Sequence, residues 1–440
     1  MSTLKVNKLR DTTGSTDAIV LDPSGGAVLA GVTSVSTVKV GSGVTISSDG
    51  DVFTTGITTS STVIVGSGVT ISESGIEASG IGITCANING QQISGRRNII
   101  TNGAMNVAQR GTSFTGITAS GTYPVDRFLF HVGSLGTWTL TQSTDVPTGQ
   151  GFAKSIKCDV TTANASPSGT SYARIDQRFE GQDLQRFCKG TANAKNFAVS
   201  FWVKSPKTGT HIVQLQDQDN SRNVSKAYTV SSANTWEKKE LIIDADTTGA
   251  FGNDNGKSLT VAWWLSAGTD YKSGTLATSW VSPTNANRIV GQVNVADNTA
   301  NNFYLTGVQL EVGSQTTSFE HRSFGEEMSL CERYFQVMAQ GDSHYLTNCM
   351  FYSNTVQTGV INFKTQMRTT PTLYQVAVNS GYVIYHNSSG DSFNSFTGGT
   401  ALSQDAGAIY NSGTITGTAG HCGGFYLNDA SCFIAMQSEL

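Results

Sequence analysis

Charge is scarce in this chain. Asp, Glu, Lys and Arg make up 14% of 440 residues, and 28 basic against 32 acidic side chains leave a net charge of −4. There is no basic stripe, so nucleic-acid binding has no electrostatic footing. No apolar run approaches the length of a membrane span, and membrane insertion is not expected. The opening MSTLKVNKLRD has no apolar core of a secretory signal, so the product is expected to stay in the cytosol that makes it. Proline occurs only 7 times. Cysteine also occurs 7 times, and no two form a CxxC; Cys422 and Cys432 are the nearest pair. That excludes a metal or redox motif and predicts reduced, mostly buried thiols. The G-x-S-x-G elbow, the P-loop, H-E-x-x-H and zinc spacings are absent. No catalytic residue, cofactor or metal is expected. Aromatics are nearly missing from 31 to 84, where Phe53 stands alone.

What remains is glycine (48 residues), a 38% hydrophobic share and abundant Ser, Thr, Asn and Gln. This suits β structure with many tight turns and does not suit disorder. The length calls for more than one domain. Residues 1–30 hold two short strand-like pieces and the turn Asp22-Pro23-Ser24-Gly25-Gly26. They carry too little apolar bulk for a core and are expected to be ordered by a partner. Residues 31–84 repeat: Val40-Gly-Ser-Gly-Val-Thr-Ile-Ser47 returns unchanged at Val65 to Ser72, a period of 25. Two repeats cannot bury a face on one chain. Small side chains can do so if several copies wrap one axis, so 31–97 reads as a trimeric β-repeat shaft and connector. The alternative, a flexible Gly/Ser/Thr linker, fits poorly with the regular Val/Ile spacing.

From Asn98 onward aromatics and alternation set in. Phe197, Val199, Phe201 and Val203 share one face, with Trp202 opposite; Leu259, Val261, Trp263 and Leu265 share another, with Trp264 opposite. In 303–312, Tyr304, Thr306, Val308, Leu310 and Val312 read as one face. Strands separated by Gly, Asn and Asp clusters predict a large jelly-roll-like sandwich over 98–322. Ser323 stands three residues before Glu326, the spacing of a capping box, and predicts a linker helix within 323–340. Residues 341–440 repeat the strand pattern on a smaller scale, as a C-terminal β tip domain. The fold class is all-β: an elongated trimeric β-repeat shaft, then a large jelly-roll-like sandwich and a smaller C-terminal β-sandwich joined by one short helix.

Several stretches resemble one family. Asn98-IITNGAMNVAQRGTSF, Tyr123-PVDRF, Gln177-RFEGQDLQRF, Phe197-AVSFWVKS and, above all, Gly307-VQLEVGSQTTSFEHRSFGEEMSLCERYFQ are similar to tail-fibre or virion structural proteins of tailed bacteriophages, including those of marine cyanobacteria. The opening MSTLKVNKLRDTTGS looks like the start of such fibres. The resemblance implies a homotrimer whose N-terminal segment is held by other phage tail proteins. It also implies a carbohydrate-binding-like jelly roll and a virion (tail-appendage) location after assembly in the host cytoplasm. The partner it implies at the far end is a host surface glycan such as lipopolysaccharide.

Glycan binding needs flat aromatics flanked by amides or carboxylates. The candidates are Trp202 and Trp264, opposite their strands' apolar sides, and Tyr382, Tyr385, His386, Phe393, Phe396 and Tyr410, interleaved with Asn, Ser and Gly. The stretch 386–406 reads as the loop most suited to a receptor. For each Trp the plainer reading is packing under a loop or a neighbouring subunit. The turns Asp217-Gln218-Asp219-Asn220 and Asn253-Asp254-Asn255 are oxygen-rich, but turns favour these residues for backbone reasons alone. His344, His386 and His421 form no H-x-H pattern. A polysaccharide depolymerase would need a positioned pair of carboxylates, and the sequence does not place Asp176, Glu180, Asp183, Asp244 or Asp246 around one sugar. A structural connector or collar fibre is the remaining alternative; a bacterial adhesin would call for an export signal or wall anchor.

Overall fold

The computed structural model describes residues 96–413 and 415–440 throughout and, before residue 96, the backbone of nine short strands. It comprises two compact units, Met1–Cys85 and Ala86–Leu440. In the first unit strands come in antiparallel threes: Lys8–Arg10, Asp17–Leu21 and Ala27–Val28, then one set from each repeat copy. The copies are Val38–Val40, Val44–Ile46, Val52–Thr54 and Thr62–Val65, Val69–Ser72, Gly75–Ala78. Their register repeats with the sequence period, since Val38 faces Ile46 where Val63 faces Ile71. They part at the third strand: Val44 faces Thr54, but Val69 faces Ala78. The match in sequence fades at the same place. The shaft and the attachment segment otherwise lie outside the described residues.

The second unit holds a sandwich of two six-stranded antiparallel sheets. One sheet runs, in spatial order, Ser113–Ile117, Thr137–Ser143, Ser155–Thr162, Asn302–Val312, Phe197–Lys204, Glu237–Ile243. The other runs Thr122–Val125, Phe128–Gly133, Tyr172–Glu180, Lys257–Ala267, Gly209–Asp217, Arg222–Val230. The chain crosses repeatedly between them, as in a jelly roll. Phe197, Val199, Phe201 and Val203 meet Leu259, Val261, Trp263 and Leu265 in one buried core, as the alternation predicts.

The strand Asn302–Val312 is central, not terminal in space, and its faces differ from the expectation. Phe303 and Leu305 point into the core, and so do Val308 and Leu310. Gly307 lies between the two pairs at φ 60°, where the register with Ser200 and Trp202 shifts. That bulge moves the inward face from odd to even positions, which strict alternation cannot anticipate.

The smaller sandwich pairs a seven-stranded sheet with a three-stranded one. The former runs Ser389–Phe393, Tyr382–His386, Cys422–Leu427, His344–Ser353, Val356–Asn362, Ala406–Ser412, Gly398–Thr400. The latter runs Phe335–Gln340, Phe433–Gln437, Thr372–Val376. Phe351, Tyr382, Phe425, Ile434 and Met436 belong to their common core. The helix is Phe324–Glu332, and Ser323 Oγ accepts the Glu326 amide at 3.3 Å. Glu326 does not complete the reciprocal box but pairs with Arg96 at 2.6 Å. The expected linker span 323–340 is therefore helix only to Glu332, and it already contains the first strand of the small sandwich.

Candidate functional site: an open tyrosine face

The seven-stranded sheet buries one face. Pairing puts Asn348 opposite Gly424, and Gly424 opposite Tyr385, in one row of the other face. Tyr345 faces Tyr426 in the neighbouring row. The rings of Tyr345 and Tyr385 both meet that of Tyr426 edge-on, at 4.9 and 5.0 Å. Gly424 makes room for this group: a Cβ there would lie 2.9 Å from ring atoms of both Tyr345 and Tyr426. The Tyr345 hydroxyl donates to Asn348 Oδ1. A shallow open depression beside the rings is lined by Thr347, Asn348, Met350, Thr358, Val360 and Asn362.

These rings reach solvent. Tyr345 is 46% exposed, Tyr385 50%, Val360 63% and Tyr352 74%. The result is a flat aromatic surface with hydroxyl and amide groups at its edge. Such a surface can stack on the apolar face of a sugar ring and bond its hydroxyls. It can equally be covered by another apolar protein surface.

Tyr385 is the one sequence candidate that belongs to the trio. Tyr410 lies half-buried on the same face, opposite Thr358, which in turn faces Met350. Burial takes Tyr382, Phe393, Phe396 and Trp264 off the surface. Tyr382 is fully buried and donates to the Val376 carbonyl at 2.6 Å. Phe393 and Phe396 are core residues against Tyr382 and Phe425. They are inside because 386–406 is not a loop. Asn387 and Ser388, both at positive φ, form a two-residue hairpin turn, and Ser389–Phe393 returns as a strand. His386 sets its ring on Phe351 at 4.7 Å, with Nε2 2.7 Å from Asp391 Oδ2. Trp264 is fully buried with Ile212 and Ile289, under Tyr271 and Leu276 of the crossing loop. Trp202 is half-buried, its ring over the Gly307 bulge.

Tyr345, Tyr352 and Tyr426 escaped the sequence reading. A register shift between Tyr345 and Thr347 breaks the alternation of their strand. The turn at 217–220 also proves to be engaged. Asp217 takes the fully buried Lys189 ammonium at 2.6 Å and the Asn220 amide at 3.0 Å; Asp219 takes the Gly252 amide at 2.8 Å. Of the acidic residues considered for chemistry, Glu180 is clamped by Arg333 and Tyr334, and Asp246 by Lys189 and Arg222.

No family model and no curated protein matches the chain. Solved structures are similar over part of it. The tailspike protein 4 enzymatically active domain of bacteriophage CBA120 shares 16% identity over 49% of this chain and 21% of its own, at a TM-score of 0.25. This chain thus spans about a fifth of that one. A putative sugar binding protein from Bacteroides thetaiotaomicron shares 11% over 49% and 100%, at 0.28. A carbohydrate-binding module, TmCBM61, solved with β-1,4-galactotriose shares 8% over 49% and 99%, at 0.25. Scores at this level carry no argument about function.

Proposed function

We propose that this chain is a fibre-type virion adhesin that holds a host surface glycan, without cleaving it, on the tyrosine face of its small sandwich. The observation that carries this reading is the open Tyr345–Tyr426–Tyr385 group, seated on Gly424 with Asn348 at its edge. The resemblance of 98–336 to phage fibre proteins supports the virion setting. The chain assembles as a homotrimer through its repeats, attaches to other tail proteins by residues 1–30, and works by multivalency. Several weak sites on one rigid body raise the effective concentration of the next.

The test is adsorption. Purified full-length chain should block attachment of the virion that carries it, and Tyr345→Ala with Tyr385→Ala should weaken the block. Each lost ring removes roughly 0.5–1.5 kcal/mol of aromatic contact, so the pair should weaken binding about tenfold. Full inhibition by the double variant would sink the site. A second reading is favoured by Met350, Tyr352 and Val360, which extend the apolar exposure beyond the trio. Here the face packs against another copy or another virion protein, as in a connector fibre. The double variant would then lower the oligomeric state instead of the affinity for glycan.

A further inference from the structure

The outer face of the seven-stranded sheet carries no charged side chain among the described residues. Its seven strands hold a single Asp, Glu, Lys or Arg, which is Asp391. That residue stands opposite the buried Ile384 and is held by His386 at 2.7 Å. The two histidines of these strands also turn from the outer face: His386 lies on Phe351, and His344 is opposite the buried Leu427. The other charges of 341–440 are placed elsewhere. Lys364 reaches Glu332 at 3.3 Å, Arg368 takes the carbonyls of Asn255 and Ser438, and Glu439 takes Arg110 and Arg127. Asp342, Asp405 and Asp429 stand in connections between strands. The large sandwich differs on both sheets. Lys238 pairs with Glu240 at 2.6 Å on one, and Arg174 with Asp176 at 3.2 Å on the other. An open sheet face that is aromatic and uncharged marks a contact surface.

Register gives this surface a direction. Tyr385, Gly424 and Asn348 lie in one row across three strands. The pair Cys349–Gly359 sets Val360 next in line, and Ala408 and Thr400 follow. The row crosses six adjacent strands, which at their ordinary spacing makes it about 24 Å long. Gly424 and Ala408 keep it low. The rings of Tyr345 and Tyr426 rise along one side, and Met350, Thr358 and Tyr410 form the parallel row on the other. The depression in the middle encloses about 410 Å³, the size of a small ligand cleft. Asn348 Oδ1 takes the Tyr345 hydroxyl, while its Nδ2 makes no hydrogen bond among the described residues; nor does the side chain of Asn362. The row thus offers aromatic faces and neutral donors and acceptors, and nothing that compensates a charge. An ionised group set against it would lose water without gaining a partner.

We infer that the ligand of this face is an uncharged oligosaccharide, several sugar rings long, lying across the strands from Tyr385 toward Thr400 with its hydroxyls on the amides of Asn348 and Asn362. The inference rests on the glycan reading above and narrows it. That reading admits any host glycan, acidic ones included; this one excludes the acidic ones and sets a direction for the chain.

The test uses the full-length chain and the surface polysaccharide of the host, cut to oligosaccharides and split on an anion exchanger into an uncharged and an acidic fraction. Calorimetric titration should show the uncharged fraction binding about tenfold more tightly. Its affinity should rise from single sugars to chains that fill the row. Val360→Lys and Val360→Glu put opposite charges in the middle of the row, at a position 63% exposed where the fold tolerates change. Both should weaken the uncharged ligand to the same degree. An acidic ligand would separate them, with tighter binding to the Lys variant and weaker binding to the Glu variant. Thermal melts check that each variant is folded. Tighter binding of the acidic fraction, or opposite shifts in the two Val360 variants, overturns the inference. The tyrosine reading survives that result if Tyr345→Ala with Tyr385→Ala still weakens the adsorption block. Single sugars that bind as tightly as longer chains overturn the extended seat. Uncharged oligosaccharides that bind the tyrosine double variant undiminished overturn both readings. Binding of neither fraction overturns both as well, and an oligomer that dissociates in the double variant would then assign the face to a second copy of the chain.

Discussion

At the scale of single residues, Lys189 is caged by four oxygen groups. Its ammonium is fully buried and touches Asp217 at 2.6 Å, Asp246 at 3.0 Å, and the carbonyls of Thr248 and Gly249 at 2.9 and 2.7 Å. This is an oxygen cage of the kind that holds a cation, with the cation supplied by the chain. Removing one partner of a buried pair costs about 3–5 kcal/mol. Lys189→Ala should lose that much in urea unfolding, and millimolar Ca²⁺ should raise its melting temperature but not that of the parent. A variant equally unstable with and without Ca²⁺ would show that the cage is shaped only for an ammonium.

His211 supplies a second prediction at this scale. It is fully buried, 3.0 Å from the Lys207 carbonyl and stacked on Tyr228. Burial lowers its pKa from 6.5 to about 4, against a smaller opposing effect of that carbonyl. The unfolded chain therefore takes up a proton below pH 6.5 that the folded chain refuses. Stability contributed by the neutral ring is complete above pH 6.5 and declines until about pH 4, by on the order of 3 kcal/mol. His211→Gln should flatten the stability curve in that window. An unchanged slope would place the proton uptake elsewhere.

At the scale of elements, the joint between the sandwiches was legible as a place and illegible as a mechanism. Ser323 marks the helix start, and the stretches that carry the family resemblance flank it. What one strand pattern cannot reveal is that those stretches meet. Gln109 donates to the Phe335 carbonyl at 2.7 Å and to Asp126 at 2.5 Å. Arg110 and Arg127 hold the two oxygens of Glu439 at 3.0 and 2.5 Å. Arg127 stacks on Tyr334 at 3.4 Å, and Arg333 grips Glu180 in a fork at 2.7 and 2.6 Å. Partners more than 300 residues apart, as Arg127 and Glu439 are, leave no local trace. The two sandwiches are thus fastened by buried charge, and the joint is no hinge. Glu439→Gln should strip Arg110 and Arg127 of their shared carboxylate and destabilise the chain by about 3–5 kcal/mol. Gly307→Ala should also be costly, because a Cβ there would sit 2.6 Å from Phe152 and 2.9 Å from Trp202 on a left-handed backbone. Urea unfolding of the two variants should shift the midpoint with little change in slope.

At the scale of the whole molecule, the β-rich fold class and the inward faces of Phe197–Lys204 and Lys257–Ala267 were readable because alternation is a local signal. The tyrosine face was not, because it assembles from Tyr345, Tyr385 and Tyr426 on strands whose pairing is set by distant turns. The proposed trimer belongs to this scale too. The first two strands of each repeat copy pair in the same register, Val40 on Val44 and Val65 on Val69, and the copies part at the third. Each copy is too small to bury a core alone: three-stranded sheets of three or four residues per strand are marginal without packing. The Val/Ile spacing of two repeats 25 residues apart predicts a face that is covered only by symmetry-related chains, which is the ground of the proposed trimer. The expected outcome of sedimentation equilibrium on the full chain is a species of three times the 46.5 kDa chain mass, unchanged on dilution to nanomolar concentration. Replacing Val40, Val44, Val65 and Val69 by Thr keeps β propensity but weakens apolar burial. That variant should dissociate to monomers with its large sandwich still folded, as followed by tryptophan fluorescence. A parent chain that is monomeric at micromolar concentration would remove the trimer, and with it the multivalency on which the adhesion reading depends.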